Sequence, residues 1–537
     1  MMRRLAPALP ILAIALALFL ALFDPATLDI GNAGWLLRGT DNGENALGLH
    51  AYLHDRSAGA SLRTGLLNAP EGVPILFTDS NPLLGLLLRP IASLLPADAQ
   101  FVGPWLLLCL ILQALFAWLA LRRFAPGPLA LWAGVVLLAA LPTLFNRFVH
   151  ANLFAHWLIL AALCLFLDAG RATKARWWLP LIGATAMIHN YLLVMVAAIW
   201  ATAMIERAVN GDRLARLLVA MQVVAVAGMV AVLAWWMGAT GRFAAAGNYG
   251  AFAMPIDALV NPSNPSFSTL LPATPQRPGR GFEGFQYLGA GLILALPIAG
   301  LVALKVLRGD VERRLHRRLT WLVPALVVLA ALAITNYPEL AGRPLPRFAL
   351  PALLAPALDM VRASGRLFWP VAYVVVMLAV VAIYRLGARK AGYLLVALAT
   401  VQAIDLANMF VAIRSTTAEA AQHRLYVRTA DPRWGIYVAR AHDVAFEPAE
   451  PTQDLALFQE LAWRAASLGR PVRTVYAART PIASAVRQRA EHADYRAGRI
   501  DPRRLYVLLP LASVPAGAEA RLRVIDGVRV LAPAQRR

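Results

Sequence analysis

The acidic residues of this chain are not evenly spread. The stretch LDIGNAGWLLRGTDNGENALGLHAYLHD and its continuation hold Asp29, Asp41, Glu44, Asp55, Glu71 and Asp79, with Asp24 just before them. The chain as a whole is apolar: 59% of its residues are hydrophobic and only 15% are charged. A carboxylate of suitable pKa and geometry can take a proton from a hydroxyl or hold that hydroxyl in place. Asp41 and Asp79 are therefore the catalytic candidates, with Glu44 and His50 as neighbours able to bind a substrate. The plainer alternative is helix capping, since Asp41 precedes a stretch with helical spacing.

Three further groups carry chemistry. Asn146, Arg147, His150, Asn152 and His156 fall within eleven positions of one another, and the topology below brings His189 to the same depth. Polar residues at such depths usually face an internal cavity. His150, His156 and His189 are thus binding candidates, although a single histidine there is more often a packing residue. Their spacing is not that of a tight metal site. In DMVRASGRLFWP, Arg362 and Arg366 share a helical face, and guanidinium groups match phosphate oxygens in fork geometry. Snorkelling to lipid headgroups is the alternative. A Pro/Gly/Asn-rich loop ends at Glu283, Gln286 and Tyr287, as a substrate lid or a passive connector would.

The elements that must position these residues read as membrane helices. Apolar segments recur near 5–23, 101–121, 127–145, 156–170, 176–189, 190–206, 216–238, 287–306, 320–336, 367–385 and 391–411, about eleven spans. The first reads as an uncleaved helix. Basic clusters at Arg3–Arg4, Arg122–Arg123, Arg171–Arg176, Arg207–Arg216, Lys305–Arg318 and Arg385–Lys390 then all fall on one side. The positive-inside bias makes that side cytoplasmic. The same bias excludes 82–96 as a span and makes it a surface amphipathic helix. Much of the excess of 51 Lys and Arg over 30 Asp and Glu is explained by topology and anionic lipid, and the basic C-terminal third adds the rest; no nucleic-acid recognition motif is present. Cys109 and Cys164 lie in apolar runs and read as packing residues. The fold class is a mainly α, polytopic membrane domain over 1–412, with a first periplasmic loop at 24–100. A small α/β periplasmic domain follows at 413–537, with strands expected in RTVYAA, RLYVLLP and RLRVIDGVRVLAP.

The segments GTDNGENALGLHAY, FTDSNPLLGLLLRPIASLLP, HANLFAHWLILAA, FEGFQYLGAG, RASGRLFWP and VQAIDLA resemble the GT-C superfamily of membrane glycosyltransferases, and most closely a bacterial polytopic subfamily. The order of parts is also similar: first helix, acidic outer loop, surface helix, many spans, outer soluble domain. The resemblance implies transfer of a sugar from a polyprenyl-phosphate or polyprenyl-diphosphate donor, outside the cytoplasm of the inner membrane, to a glycan, lipid or protein acceptor. It implies Asp41 as base or acceptor organiser, Asp79 second, and Arg366 and Arg362 at the donor phosphate. Many members carry two acidic residues adjacent or one apart in the first loop. Here Asn42 follows Asp41 and the next carboxylate is Glu44, which leaves a divalent cation cofactor open. Two other readings compete: a flippase of lipid-linked glycans, which needs no surface carboxylate, and a non-catalytic envelope scaffold that works through its tail.

Overall fold

The computed structural model describes residues 7–59, 61–241, 249–306, 310–479 and 481–534, with backbone only at 305–306 and 310–316. Arg3, Arg4 and most side chains of the Lys305–Arg318 cluster lie outside the described residues. The chain is mainly helical. The apolar part holds α1 (Ala8–Leu22), α2 (Asp41–His54), α3 (Val102–Leu121), α4 (Pro128–Ala139), α5 (Trp157–Leu167), α6 (Ala175–Ile188) and α7 (Asn190–Asn210). It continues through α8 (Arg213–Trp236), α9 (Ala290–Val306), α10 (Asp310–Ile334), α11 (Trp369–Ile383), α12 (Ala388–Asp405) and α13 (Ala407–Ser415).

A helix forms in each segment where hydropathy predicts one, but eleven spans do not follow. Six helical stretches among the described residues are long and apolar enough to cross a bilayer: 102–121, 128–145, 190–210, 213–236, 317–334 and 364–386. The pair α12 and α13, bent by 46°, makes a seventh if it counts as one. The others fall short for a geometric reason. With 11 residues, α5 rises only about 16 Å, against a hydrocarbon core of about 30 Å. Hydropathy registers the apolar run but not where the backbone stops being helical. The outermost helix, α8, presents Leu214, Val224, Val232 and Trp235 outward, an apolar face suited to lipid.

The segment 82–96 forms a helix at Pro82–Leu88 followed by a 3-10 turn at Arg89–Leu94. It is too short to span, and Leu87 and Leu94 are exposed. Arg89 reaches back to the carbonyls of Leu53 and Asp55, at 3.1 and 2.7 Å, and so closes the C-terminus of α2.

The basic loops meet at one end of the bundle. Arg123 pairs with Asp168 at 2.8 Å, Arg207 donates to the Thr173 carbonyl at 2.8 Å, and Arg318 pairs with Glu206 at 3.3 Å. The acidic loop lies at the other end.

The C-terminal domain is a small sheet with helices α14 (Leu455–Ser467) and α15 (Ile482–Arg496). Its strands β1 (Val444–Glu447), β2 (Leu505–Leu508), β3 (Leu522–Ile525) and β4 (Val528–Leu531) are ordered β1-β2-β4-β3. β1 and β2 run parallel and the other pairs antiparallel. Asp526 and Gly527, both at positive φ, form the tight turn between β3 and β4. RLYVLLP and RLRVIDGVRVLAP thus supply strands as expected. RTVYAA does not: beside it, Val472 makes only isolated bridges, to Leu67 and Val444. The bridge to Leu67 ties the domain to the first loop. Trp463 of α14 seals the same contact, stacking on His50 at 3.7 Å and donating to Asp98 at 2.9 Å.

Candidate active site

The catalytic candidates are set by what their neighbours do. Thr40, not Asp41, caps α2, its hydroxyl accepting from the Gly43 amide at 3.3 Å. Asp41 is the first helical residue, favoured there by the helix dipole, and its carboxylate remains available. Asp79 is spared in the same way. Asn81 caps the following helix through the Leu83 and Leu84 amides. Asp79 itself sits at φ 54°, a left-handed conformation uncommon outside glycine. Its carbonyl is held by Asn45 at 2.5 Å and Asn152 at 2.8 Å. The capping alternative therefore gives way at both aspartates.

Each aspartate faces a histidine. His150 Nε2 lies 3.0 Å from Asp41 Oδ2. Asn42 fixes this contact, accepting from the Ala151 amide at 2.9 Å and donating to the Phe148 carbonyl at 2.8 Å. The residue next to Asp41 thus holds the loop that carries His150. His189 caps α7, its Nδ1 accepting from the Tyr191 amide at 3.1 Å. In the neutral ring that arrangement leaves the proton on Nε2, which lies 3.8 Å from Asp79 Oδ1.

Glu283 is a counter-ion. It accepts from Arg366 Nε and Nη2 at 2.7 and 2.5 Å and from Arg147 Nη1 at 2.7 Å. Arg147 also donates to the Phe282 carbonyl and stacks on that ring at 4.3 Å. The interlock follows from two glycines. A Cβ on Gly365 would come within 2.6 Å of Gly284 Cα, so FEGFQ and RASGR pack backbone to backbone. Gln286 closes the joint by donating to the Gly365 carbonyl at 2.8 Å.

The electrostatics separate the carboxylates. Burial works to raise Asp41, but the hydrogen bond and charge of His150 outweigh it and hold Asp41 below the usual range. Burial also opposes ionisation of Glu283, and the two guanidinium groups overcome it, so Glu283 stays charged. Burial raises Asp79 to about 6, against opposing pulls from His150 and Arg366. Glu44 is buried with both oxygens unpartnered. Burial first, then Asp41 and Asp79, push it well above its ordinary value. Two ionised carboxylates, Asp41 and Glu283, thus lie on one end of the bundle with one poised, Asp79, and one pushed toward its neutral form, Glu44.

Several candidates lie elsewhere. His50 is buried against Trp463 and sits 3.0 Å from the Ser467 hydroxyl; it docks the C-terminal domain. His156 lies one layer below the site, 3.0 Å from the Tyr373 hydroxyl and against Trp369. Tyr287 is fully buried and donates to Asp405 Oδ2 at 2.7 Å, within a structural network that includes Ser268. Arg362 is exposed over the Phe252 ring at 4.8 Å; among the described residues it has no carboxylate partner, unlike Arg366.

Two contributors were not foreseen, and both come from the C-terminal domain. Tyr476 donates to Asp41 Oδ1 at 3.4 Å. Gln459 clamps the start of α2, accepting from the Gly39 amide and donating to the Thr40 carbonyl, each at 2.8 Å. Neither carries a local sequence signal, since only the tertiary fold brings the domain to the loop. Arg147 was visible as part of a polar cluster, but its pairing with Glu283 was not.

Among the described residues, no group of three or more His, Cys, Asp or Glu side chains is placed to hold a metal ion. Asp41, Asp79 and Glu283 face histidines and arginines rather than one another.

No curated protein and no solved structure matches the chain significantly. Residues 12–407 match the DUF6311 family, described as a domain of unknown function, and residues 433–533 match the DUF6311 C-terminal domain. With most of its length matched, the chain belongs to the DUF6311 family.

Proposed function

We propose that this protein is a membrane glycosyltransferase of GT-C type that moves a sugar from a polyprenyl-linked phosphate or diphosphate to a cell-envelope acceptor. One observation carries the reading. Asp41 and Asp79, each relieved of a capping role, stand with their histidines on the same end of the bundle as the Arg147–Glu283–Arg366 cluster. In this reading the acceptor hydroxyl gives its proton to Asp41 as its oxygen attacks the anomeric carbon. The glycosidic carbon–oxygen bond to phosphate breaks, and the bonding electrons leave with the phosphate. Arg366, held by Glu283, and the exposed Arg362 stabilise that departing charge. Asp79 orients the acceptor or donor sugar. These steps use the chain's own side chains, and none is routed through a divalent cation.

The proposed topology places the basic end in the cytoplasm and the acidic end, with the C-terminal domain over it, outside a bacterial inner membrane. Such a site lets the lipid tail stay in the bilayer while its sugar meets a soluble acceptor. The same arginines would serve a flippase, but a flippase has no use for a base held against a histidine.

The test uses purified protein, radiolabelled polyprenyl-phosphate sugars already on the outer face, and envelope extract. Sugar transfer that needs Asp41 supports the enzyme. Donor binding without transfer, unchanged in Asp41→Asn, favours the flippase or scaffold.

A further inference from the structure

At the end of the bundle opposite the site, a cavity of about 840 Å³ opens between α3, α5, α6 and α10. Its volume lies in the range of ligand sites. The two ends of this cavity differ in chemistry. One end is aromatic and apolar, where Trp157 stacks on Phe116 at 5.8 Å; Trp177 lines the other end, with the Arg171 guanidinium 5.1 Å from its ring. The other is a ring of arginines: Arg122, Arg123, Arg171, Arg317 and Arg318.

Among the described residues these arginines outnumber their carboxylate partners. Arg123 and Arg171 share Asp168, at 2.8 and 3.7 Å, and Arg318 pairs with Glu206 at 3.3 Å. Arg122 lies over the Trp118 ring at 4.5 Å. Among the described residues neither Arg122 nor Arg317 forms an ion pair. The cavity mouth therefore keeps net positive charge. From Trp157 to Leu167, both lining residues, α5 gives it a depth of about 15 Å. Positive fork donors at one end and a deep apolar slot at the other match an amphiphile with an anionic head. A water-soluble anion would leave the slot unused.

We propose that this cavity binds one anionic phospholipid, its phosphate among Arg122, Arg123 and Arg317 and an acyl chain along α5 as far as Trp157. The inference rests on the reading of the bundle as membrane-embedded and is independent of the transferase reading.

The experiment places the full chain in nanodiscs containing phosphatidylglycerol or phosphatidylcholine with brominated acyl chains, which quench tryptophan on contact. The signal is the difference between the wild type and a Trp157→Phe/Trp177→Phe variant. Quenching should reach half-saturation at a roughly fivefold lower fraction of the anionic lipid, about the worth of one arginine near a lipid surface. Arg122→Gln/Arg317→Gln should erase that preference while leaving elution and thermal midpoint unchanged. Mass spectrometry of the detergent-purified protein gives a second readout. Co-purifying anionic lipid should fall from about one per chain to background in the double variant. Equal quenching by both lipids, a preference that survives the double variant, or wild-type protein without bound lipid would overturn the proposal. Displacement of the quencher by millimolar inorganic phosphate would overturn it in favour of a free phosphate ligand.

Discussion

Both ends of this helix bundle gather arginine, and they handle its charge in opposite ways. At the acidic end Arg147 and Arg366 are buried and converge on one carboxylate, Glu283. At the basic end Arg122 and Arg317 are exposed and line a cavity mouth, with no carboxylate of their own among the described residues. Burying a charge is costly unless it is paired. The acidic end meets that requirement inside the protein, so its geometry is set before any ligand arrives, and Asp41 and Asp79 are left for the proposed reaction. The exposed arginines of the basic end carry no such cost and stay open to the proposed lipid.

The largest expected effect breaks the pairing. Glu283→Gln leaves two guanidinium groups buried without a counter-ion and should cost about 3–5 kcal/mol of stability, read as a fall in thermal midpoint. Arg122→Gln at the other end should change stability by less than about 0.5 kcal/mol. Equal losses at the two ends would dissolve the contrast.

Arg366→Lys sharpens it. A lysine keeps the charge but cannot make the fork with Glu283. Donor affinity should fall roughly tenfold, the worth of one charge-assisted hydrogen bond, with a smaller stability loss than Glu283→Gln. An unchanged donor affinity would remove Arg366 from the phosphate.

Asp79 adds a pH dependence. Its folded pKa, about 6, lies above the ordinary value of about 4, so the folded state binds a proton that the unfolded chain has released. Stability from this group is present below about pH 4 and is lost as pH rises through about 6. Asp79→Asn should therefore raise the thermal midpoint at pH 7.5 and change it little at pH 4. Catalysis runs the other way. If ionised Asp79 orients the sugar, transfer should rise with pH through about 6, and Asp79→Asn should lack that limb. The smallest effect is Tyr476→Phe, which loses a long 3.4 Å contact to Asp41 and should slow transfer only about threefold.

Much of the acidic end was legible. The Asp-rich first loop, the cluster at 146–156, His189, and the RASGR and FEGFQ segments were all visible as polar residues where hydropathy demands apolar ones, and most of them meet. What sequence could not show was facing and partnership. His50, His156 and Tyr287 looked like His150 and Glu283 by type and depth, yet each turns to a packing partner. Tyr476 and Gln459 were hidden because they lie more than 400 positions from Asp41 and act only through domain docking. The helices were placed by their apolar runs, but α1, α5 and α6 end at Phe23, Asp168 and His189, too early to span, and an apolar run does not by itself reveal where the backbone stops being helical.

The most direct test of the account is a single-turnover transfer assay at pH 7.5, with donor bound before acceptor is added, comparing wild type and Asp41→Asn. The account predicts unchanged donor binding and a transfer rate lowered by about 10²- to 10⁴-fold, the range of general-base catalysis. A fully active Asp41→Asn protein would contradict it.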